Sequence, residues 1–263
     1  MSEIISYGFM QRAIFAGVMV GILCSVLSLF VVLKRLSFVG AGISHSAFGG
    51  VALGFLLGIE PTWTATFFCI LIALLIGLIK KRGKIQEDTV IGIFFAATMA
   101  FGILLVGLSK RYNMDLFGYL FGNILAISSS DVKMVVAVSV IVLTIVGLFF
   151  KEFLFYSFDE EMAKVSGIPT GFLNYLLLTL LALVIVVSIK VVGIVLVSAL
   201  LVIPGATGRQ ISSNYRGMLA CALLVGFFAT TGGLTISYLF NLPSGSTIVL
   251  TATLLFFLSL LKR

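Results

Sequence analysis

The stretch Ala13-Ile-Phe-Ala-Gly-Val-Met-Val-Gly-Ile-Leu-Cys-Ser-Val-Leu-Ser-Leu-Phe-Val-Val-Leu33 runs for 21 residues without a charged side chain. At a helical rise of about 1.5 Å per residue, a helix of this length spans the roughly 30 Å hydrocarbon core of a bilayer. The stretch ends in Lys34-Arg35, is too long for a signal-peptide core and shows no small-residue cleavage pattern. We therefore expect it to remain in the protein as a transmembrane helix.

Similar apolar stretches fill nearly the whole chain. Of its 263 residues, 60% are hydrophobic and only 10% are charged, and the mean hydropathy is +1.25. The sequence predicts an all-α fold, a polytopic transmembrane helical bundle forming a single domain over residues 1–263. About nine spans are predicted: Ala13 to Leu33, Val39 to Ile59, Thr62 to Ile79, Thr89 to Ser109, Met134 to Phe150, Thr170 to Ile189, Val191 to Gly208, Gly217 to Phe240 and Gly245 to Leu261.

Basic residues cluster at the ends of these spans, and their distribution predicts the orientation. In the nine-span arrangement 12 of the 17 Lys and Arg residues lie on one side and 5 on the other. The positive-inside rule makes the richer side cytoplasmic, with the N-terminus outside and the C-terminus in the cytoplasm. Because the basic residues have this role at the bilayer, the net charge of +7 does not point to nucleic acid as a partner.

A shorter apolar segment, Leu116 to Ile127, lies between the fourth and fifth predicted spans. It is too short to cross the bilayer, which predicts a re-entrant helix buried by protein or facing a water-filled cavity. An interfacial helix on the outer surface is the alternative. Asn123 within it is a weak candidate for a metal ligand through its carbonyl oxygen, the alternatives being helix capping or an interhelical hydrogen bond.

The predicted cytoplasmic stretch Lys151 to Pro169 carries the signals of a short acidic helix. Ser157 can cap its start in a capping box with Glu160, and Gly167 suits its C-terminal cap. Such a helix, anchored in the membrane at both ends, could insert into a groove on a partner and transmit movement. An ordinary loop helix is the alternative.

His45 is the single histidine of the chain and lies within the second predicted span, about 9 Å from its cytoplasmic end. Imidazole is a common ligand for transition metals, which makes His45 a candidate for the lining or gate of a metal pathway. A hydrogen bond to a neighbouring helix would equally explain a polar side chain at this depth.

The predicted spans contain no Asp, Glu, Lys or Arg, although proton-driven carriers often bury such groups. Gly83-Lys84 lacks both the earlier glycine and the following Ser or Thr of a phosphate-binding loop. The sequence therefore predicts a transport subunit that is not an enzyme, binds no cofactor and takes its energy from elsewhere.

Five further motifs follow one another along the chain. They are Phe30-Val-Val-Leu-Lys-Arg-Leu-Ser-Phe-Val-Gly-Ala-Gly-Ile-Ser-His-Ser-Ala-Phe-Gly-Gly-Val-Ala-Leu-Gly54, Glu87-Asp-Thr-Val-Ile-Gly-Ile93, Tyr119-Leu-Phe-Gly-Asn-Ile-Leu125, Ser157-Phe-Asp-Glu-Glu-Met-Ala163 with Gly167, and Val192-Gly-Ile-Val-Leu-Val-Ser-Ala-Leu-Leu-Val-Ile-Pro204. Together they resemble the permease subunits of zinc, manganese and iron ABC importers, the ABC-3 metal permease family, and the resemblance covers nearly the whole chain.

The resemblance implies a type II ABC importer-like permease in a prokaryotic cell membrane (the inner membrane where there are two). It also implies a homodimer, two ATP-binding subunits on the cytoplasmic side and an external solute-binding protein. His45 matches the histidine of the family signature. The segment that couples to the ATPase is then carried by Asp159, Glu160, Glu161, Ala163 and Gly167.

Two positions depart from the family pattern. Ala41 and Asn123 stand where many relatives have Asp, and the loss of two carboxylates weakens the case for a hard-oxygen metal site. Zinc, manganese and iron all remain open as the metal. A type II importer permease for a chelated cofactor such as a metal siderophore is the alternative within transport. A passive channel or scaffold that needs no ATPase is the alternative outside it.

Overall fold

The computed structural model describes residues 8–82, 85–108, 122 and 127–261, and these residues form helices joined by short turns. We number the helices in chain order within the described residues. They are α1 (Gly8–Leu33), α2 (Ser37–Leu57), α3 (Pro61–Arg82), α4 (Glu87–Leu108), α5 (Ser129–Leu148), α6 (Phe150–Phe158), α7 (Glu160–Val165), α8 (Thr170–Val192), α9 (Ile194–Leu200), α10 (Ile203–Ile211), α11 (Tyr215–Phe240) and α12 (Ser244–Leu260).

The described residues include eight segments long and apolar enough to cross a membrane, together with the shorter apolar helix α12. This confirms the predicted polytopic helical bundle of about nine spans. The helix ends differ from prediction by up to five residues, because α1 begins at Gly8 and α5 at Ser129. At Ser128 a reciprocal capping box with Asp131 fixes the start of α5, ahead of the first strongly apolar residues.

One predicted span is broken. The span expected from Val191 to Gly208 is wrong in its start and its continuity, because α8 runs to Val192 and the rest divides into α9 and α10. Gly193 separates α8 from α9 in a positive-φ conformation that few other residues adopt. Pro204, at the start of α10, has no N–H to donate and its ring clashes with a carbonyl one turn earlier, which interrupts the helix.

Helices α1, α2 and α8 form the interior of the bundle and are the most buried of its spans. Glycines bring α2 against α3: a Cβ added at Gly50 would lie 2.6 Å from the Cα of Ala65, and one at Gly54 would lie 2.8 Å from the Cα of Pro61. Gly21 and Gly226 bring α1 and α11 together in the same way, since a Cβ on either would lie about 3 Å from the other's carbonyl oxygen.

The acidic segment folds as a short helix with a cap that differs from prediction. Ser157 is wrong as the N-cap, because it lies buried in α6. Asp159 takes that role, in extended backbone, and its Oδ1 accepts a hydrogen bond from the Met162 amide at 2.9 Å. Glu160 completes no capping box, since its carboxylate is bound to Lys34.

The end of α7 agrees with the sequence. Gly167 has φ of 83°, its amide donates to the Lys164 carbonyl, and the Ile168 amide donates to the Ala163 carbonyl. These two bonds form a Schellman motif.

Most of the predicted re-entrant segment Leu116 to Ile127, with Asn123, lies outside the described residues. Gly122 is described, and it lies against the break between α8 and α9. A Cβ at Gly122 would lie 2.4 Å from the Val192 carbonyl carbon, so no other residue fits there without movement of the backbone.

Candidate metal pathway and coupling surface

His45 lies within α2, eight residues after the first residue of the helix, Ser37, which corresponds to about 12 Å along the helix axis. The greater depth than predicted follows from the earlier start of α2. The imidazole is half-buried, and its Nδ1 lies 2.9 Å from the carbonyl oxygen of Ala41. Its ring contacts Phe95 of α4, with 4.7 Å between the ring centroids.

The hydrogen bond to Ala41 determines which histidine nitrogen can bind a ligand. A carbonyl oxygen only accepts hydrogen bonds, so the Nδ1 at 2.9 Å carries the proton. In this tautomer the lone pair lies on Nε2. This is the arrangement in which histidine binds metals in proteins, with the second nitrogen oriented by a carbonyl or carboxylate.

The helix that carries His45 is fixed to α4 by polar and steric contacts. The hydroxyl groups of Ser46 and Thr98 lie 3.0 Å apart, and both are buried. Gly42 admits the side chain of Ile91 one turn before Ser46, since a Cβ there would lie 2.3 Å from the Ile91 Cγ2. The position of the imidazole is thus set by close packing on both sides.

In the parts of the chain that the structure describes, no group of three or more His, Cys, Asp or Glu side chains could hold a metal ion. His45 thus has no carboxylate cluster around it among these residues.

Three exposed apolar side chains lie on α7 and just before it. Met162 and Val165 of α7 are 54% and 83% exposed, and Phe158, the last residue of α6, is 63% exposed. Met162 and Val165 are three residues apart and share one face of α7, next to the exposed Glu161. Ala163 on the opposite face is fully buried, so α7 rests on the bundle through Ala163 and presents Met162 and Val165 outwards.

An ion pair ties α7 to the turn between α1 and α2. The Lys34 Nζ lies 2.6 Å from the Glu160 Oε2, although the two residues are 126 positions apart in sequence. The same Nζ lies 3.8 Å from the centre of the Tyr156 ring, in cation–π geometry. Lys34 is 9% exposed at its side chain, so its charge is largely removed from water.

Further contacts join this pair to α3, α4 and α8. Lys80 Nζ lies 2.5 Å from Glu87 Oε2 and 3.9 Å from Glu160 Oε2. The Tyr156 hydroxyl donates to the Asn174 Oδ1 at 2.8 Å. We call Lys34, Lys80, Glu87, Tyr156 and Glu160 the tie cluster.

Burial and charge act against each other within the tie cluster. Burial lowers the pKa of Lys34, although the hydrogen bond and charge of Glu160 act to raise it. At Glu160 burial acts to raise the pKa, but the hydrogen bond and charge of Lys34, with the charges of Lys80 and Lys164, outweigh it and hold the pKa below its ordinary value of 4.5. Burial, with the charges of Glu160 and Glu87, raises the pKa of Tyr156. The Glu160 carboxylate is therefore ionised at neutral pH.

A second charged group lies at the opposite ends of the spans. Lys190 Nζ is 2.8 Å from Asp131 Oδ1, and Arg12 donates to the Ser129 hydroxyl at 3.4 Å. Lys34, Lys80 and Glu160 lie together at one end, whereas Arg12, Asp131 and Lys190 lie together at the other. The two groups match the two sides to which the sequence assigned their basic residues.

The structure places the predicted residues in two separate elements. His45 lies in α2, and Asp159, Glu160, Glu161, Ala163 and Gly167 lie in and around α7. Sequence reasoning missed Lys34, Lys80, Tyr156 and Phe95 as residues with a part in these arrangements. Lys34 was visible only as part of the charged turn before the histidine, and nothing in the sequence paired it with Glu160.

The chain is similar to known proteins over nearly its whole length. Residues 6–263 match the model of the ABC 3 transport family. The manganese transport system membrane protein MntC of Listeria innocua is 40% identical over 258 residues, which cover 98% of this chain and 92% of that protein. The chelated iron transport system membrane protein YfeD of Yersinia pestis is 39% identical, over 99% of this chain and 87% of its own length.

Among solved structures, PsaBC from Streptococcus pneumoniae in complex with Fab matches with a TM-score of 0.87 and 38% identity, covering 98% of this chain and 93% of that chain. The match of the family model to residues 6–263 and the identity to these relatives lead to one conclusion: the chain is a multi-pass membrane protein that belongs to the ABC 3 transport family.

Proposed function

We propose that this chain is the membrane permease subunit of an ATP-driven importer that carries divalent transition metal ions into the cytoplasm. Family membership and the MntC and YfeD relatives support a metal cargo. Manganese is the first metal to test, since MntC and the ScaB permease of Streptococcus gordonii, which is 38% identical, are both named for it. Iron is the second, after the name of YfeD.

The observation that carries the proposal is that one chain combines a histidine inside the bundle with an exposed docking helix. Because Nδ1 of His45 is bonded to Ala41, Nε2 is the nitrogen left to bind a passing metal ion. Helix α7 presents Met162 and Val165 to the outside of the bundle, next to the exposed Phe158 at the end of α6. An amphipathic helix of this kind lays its apolar face into a groove on a partner.

The partner that fits α7 is an ATP-hydrolysing subunit, and hydrolysis takes place on that separate chain. Helix α7 is held between α6 and α8, so a push on α7 reaches two elements packed against the bundle. Lys34 transmits this movement to α2, because it joins α7 to the turn that precedes the helix of His45. Asp159, Glu160 and Glu161 give the helix a negative N-terminal end, which also favours its fold.

The tie cluster and α7 lie on the side with more basic residues, and the positive-inside rule places that side in the cytoplasm. The N-terminus is then outside and the C-terminus in the cytoplasm. We further propose a homodimer of this chain, two copies of the ATPase and an external solute-binding protein that delivers the metal. The exposed apolar side chains on α3, α4, α11 and α12 provide surface for lipid and for a second copy.

Uptake by the assembled transporter tests this proposal. The full chain, reconstituted with the ATPase and the binding protein of its transporter, is expected to accumulate manganese or iron only with ATP. His45→Ala is expected to slow uptake while leaving assembly with the ATPase intact. Ser44→Ala is the matched control, since Ser44 lies at the same depth and bonds only within its own helix at 3.2 Å. Equal uptake by both variants would show that His45 has a role in packing only.

Charge reversal at the acidic helix separates the proposal from a passive channel. Asp159→Lys, Glu160→Lys and Glu161→Lys together are expected to uncouple ATP hydrolysis from uptake. A passive pore would conduct as before, and that result would contradict the proposal.

A further inference from the structure

A cavity of about 410 Å³ opens between the C-terminal end of α3, helix α7 and the N-terminal end of α8. Lys80 and Lys81 line it from α3, Lys164 from α7, and Gly171 and Tyr175 from α8. The size is large enough for a phosphate head group with its glycerol, and the cavity communicates with the outside of the protein. None of the transport steps proposed above uses this cavity.

The cavity is electrically positive. Three lysines line it, whereas the carboxylate of Glu160 at its edge is bound to Lys34 at 2.6 Å and is therefore already neutralised. Lys81 and Lys164 are exposed and can turn towards a ligand in the cavity. Lys80 is already paired with Glu87 at 2.5 Å, so the uncompensated positive charge comes from Lys81 and Lys164. Several lysines in one concave site attract an anion far more strongly than any one of them alone.

The first turn of α8 contributes to the same side of the cavity. The helix begins at Thr170 after Pro169, and no side chain caps it. With 23 residues it presents the positive end of its dipole at Thr170 and Gly171, both of which line the cavity. An uncapped helix N-terminus favours phosphate, and here it faces three lysine side chains rather than standing alone.

The position of the cavity points to the membrane as the source of the anion. Lys80 and Lys81 lie in the last turn of one membrane-spanning helix, and Thr170 opens another. Phe172 is exposed and Tyr175 half-buried beside the cavity, at the level where aromatic rings meet lipid head groups. Basic pockets between spans on the cytoplasmic side are sites for anionic lipid head groups.

We propose that this cavity binds the phosphate head group of an anionic membrane lipid of the cytoplasmic leaflet, such as a phosphatidylglycerol. The inference rests on the proposed orientation, and it is independent of the metal carried. A bound lipid would lie next to Lys80 and Glu160 and would therefore affect the tie cluster that holds α7.

Native mass spectrometry of the full-length chain in detergent tests the proposal without any transport assay. The chain is mixed with dioleoyl-phosphatidylglycerol or with zwitterionic dioleoyl-phosphatidylcholine, and the bound lipid is counted. We expect phosphatidylglycerol to bind more tightly, and the Lys81→Gln/Lys164→Gln variant to bind it about thirtyfold more weakly. Lys151→Gln/Arg216→Gln removes the same charge from exposed positions outside the cavity and is expected to bind as the unaltered chain does.

Gly171→Asp provides an independent variant that is expected to keep the fold. A Cβ at Gly171 has no atom within 4 Å, and a carboxylate in the first turn of a helix is favourable. It nevertheless places negative charge in the cavity and should weaken phosphatidylglycerol binding to the same degree. Equal binding of the two lipids, or no loss in the Lys81/Lys164 and Gly171 variants, would overturn the proposal. Complete displacement of the lipid by millimolar inorganic phosphate would also overturn it, in favour of free phosphate as the ligand.

Discussion

Lys34 Nζ and Glu160 Oε2 lie 2.6 Å apart and join the turn before α2 to the first residue of α7. Lys34 belongs to a turn held by the Arg35 amide on Val32 and the Leu36 amide on Val31, so its backbone is rigid. Three residues after it the helix of His45 begins. The pair is therefore the shortest described route by which movement of α7 can reach the histidine.

The first prediction concerns how much the Lys34–Glu160 ion pair contributes to the free energy of unfolding. Glu160→Gln leaves the Lys34 ammonium unpaired in a site where it is only 9% exposed. We expect a loss of about 1 to 2 kcal/mol in the free energy of unfolding, less than for a fully buried pair because Glu160 is 44% exposed. Lys34→Met with Glu160→Gln should recover most of this loss, since no buried charge is then left alone. Thermal unfolding of Glu160→Gln, Lys34→Met and the double variant in detergent measures the cycle, and additive losses would contradict it.

The second prediction is that the double variant is stable but couples ATP hydrolysis to transport less efficiently. The Lys34→Met/Glu160→Gln protein is expected to fold and to bind the ATPase, but to transport fewer ions per ATP hydrolysed, because α7 has lost its tie to α2. The ratio of metal uptake to phosphate release in proteoliposomes measures this. Unchanged coupling in the double variant would show that movement of α7 travels by another route, through α6 or α8.

The third prediction is a pH dependence that follows from Glu160. Its pKa in the folded protein lies below the ordinary 4.5, so its contribution to stability is fully present above pH 4.5 and is lost as the pH falls through the lower folded-state value. The difference in unfolding temperature between the unaltered chain and Glu160→Gln should therefore be constant from neutral pH to about 5 and narrow below 4.5. A difference that shrinks between pH 7 and 5 would contradict this assignment.

Glycine contacts give a fourth prediction, on the packing of α2. Gly50→Ala places a methyl group 2.6 Å from the Ala65 Cα, where backbone must move, and should cost about 1 to 3 kcal/mol in the free energy of unfolding. Gly92→Ala in α4 is the matched control, because nothing lies within 4 Å of its added Cβ. That variant should be neutral or more stable by up to about 1 kcal/mol. Equal effects of the two substitutions would contradict the close approach of α2 to α3.

The spans were predictable because each consists of enough apolar residues to cross a bilayer. The hydropathy of each short stretch shows this without any knowledge of the fold. The break at Leu201 and Val202 was not predicted, since hydropathy continues across it and only Pro204 marks it. Helix α7 was predicted from Gly167 and the acidic residues. Its cap was misplaced because Ser157 and Asp159 are both good capping residues, and burial of Ser157 in α6 decides between them.

The tie cluster could not be predicted from the sequence, for a different reason. Lys34 and Glu160 are 126 residues apart, and each has many possible partners of opposite charge. Only the packing of α6 against α1, through Phe153 and its contact with Phe30, brings them together. Likewise, the Nδ1 bond of His45 to Ala41 follows from helix geometry, whereas its contact with Phe95 depends on how α4 packs.

The central claim is that the bundle has no energy source of its own and is driven from the cytoplasm through α7. Manganese flux through the purified chain in proteoliposomes, measured with and without its ATPase and ATP, tests this claim most directly. We predict no flux through the chain alone down a manganese gradient, and accumulation against the gradient when the ATPase and ATP are both present. Flux through the chain alone, unaffected by nucleotide, would contradict the account.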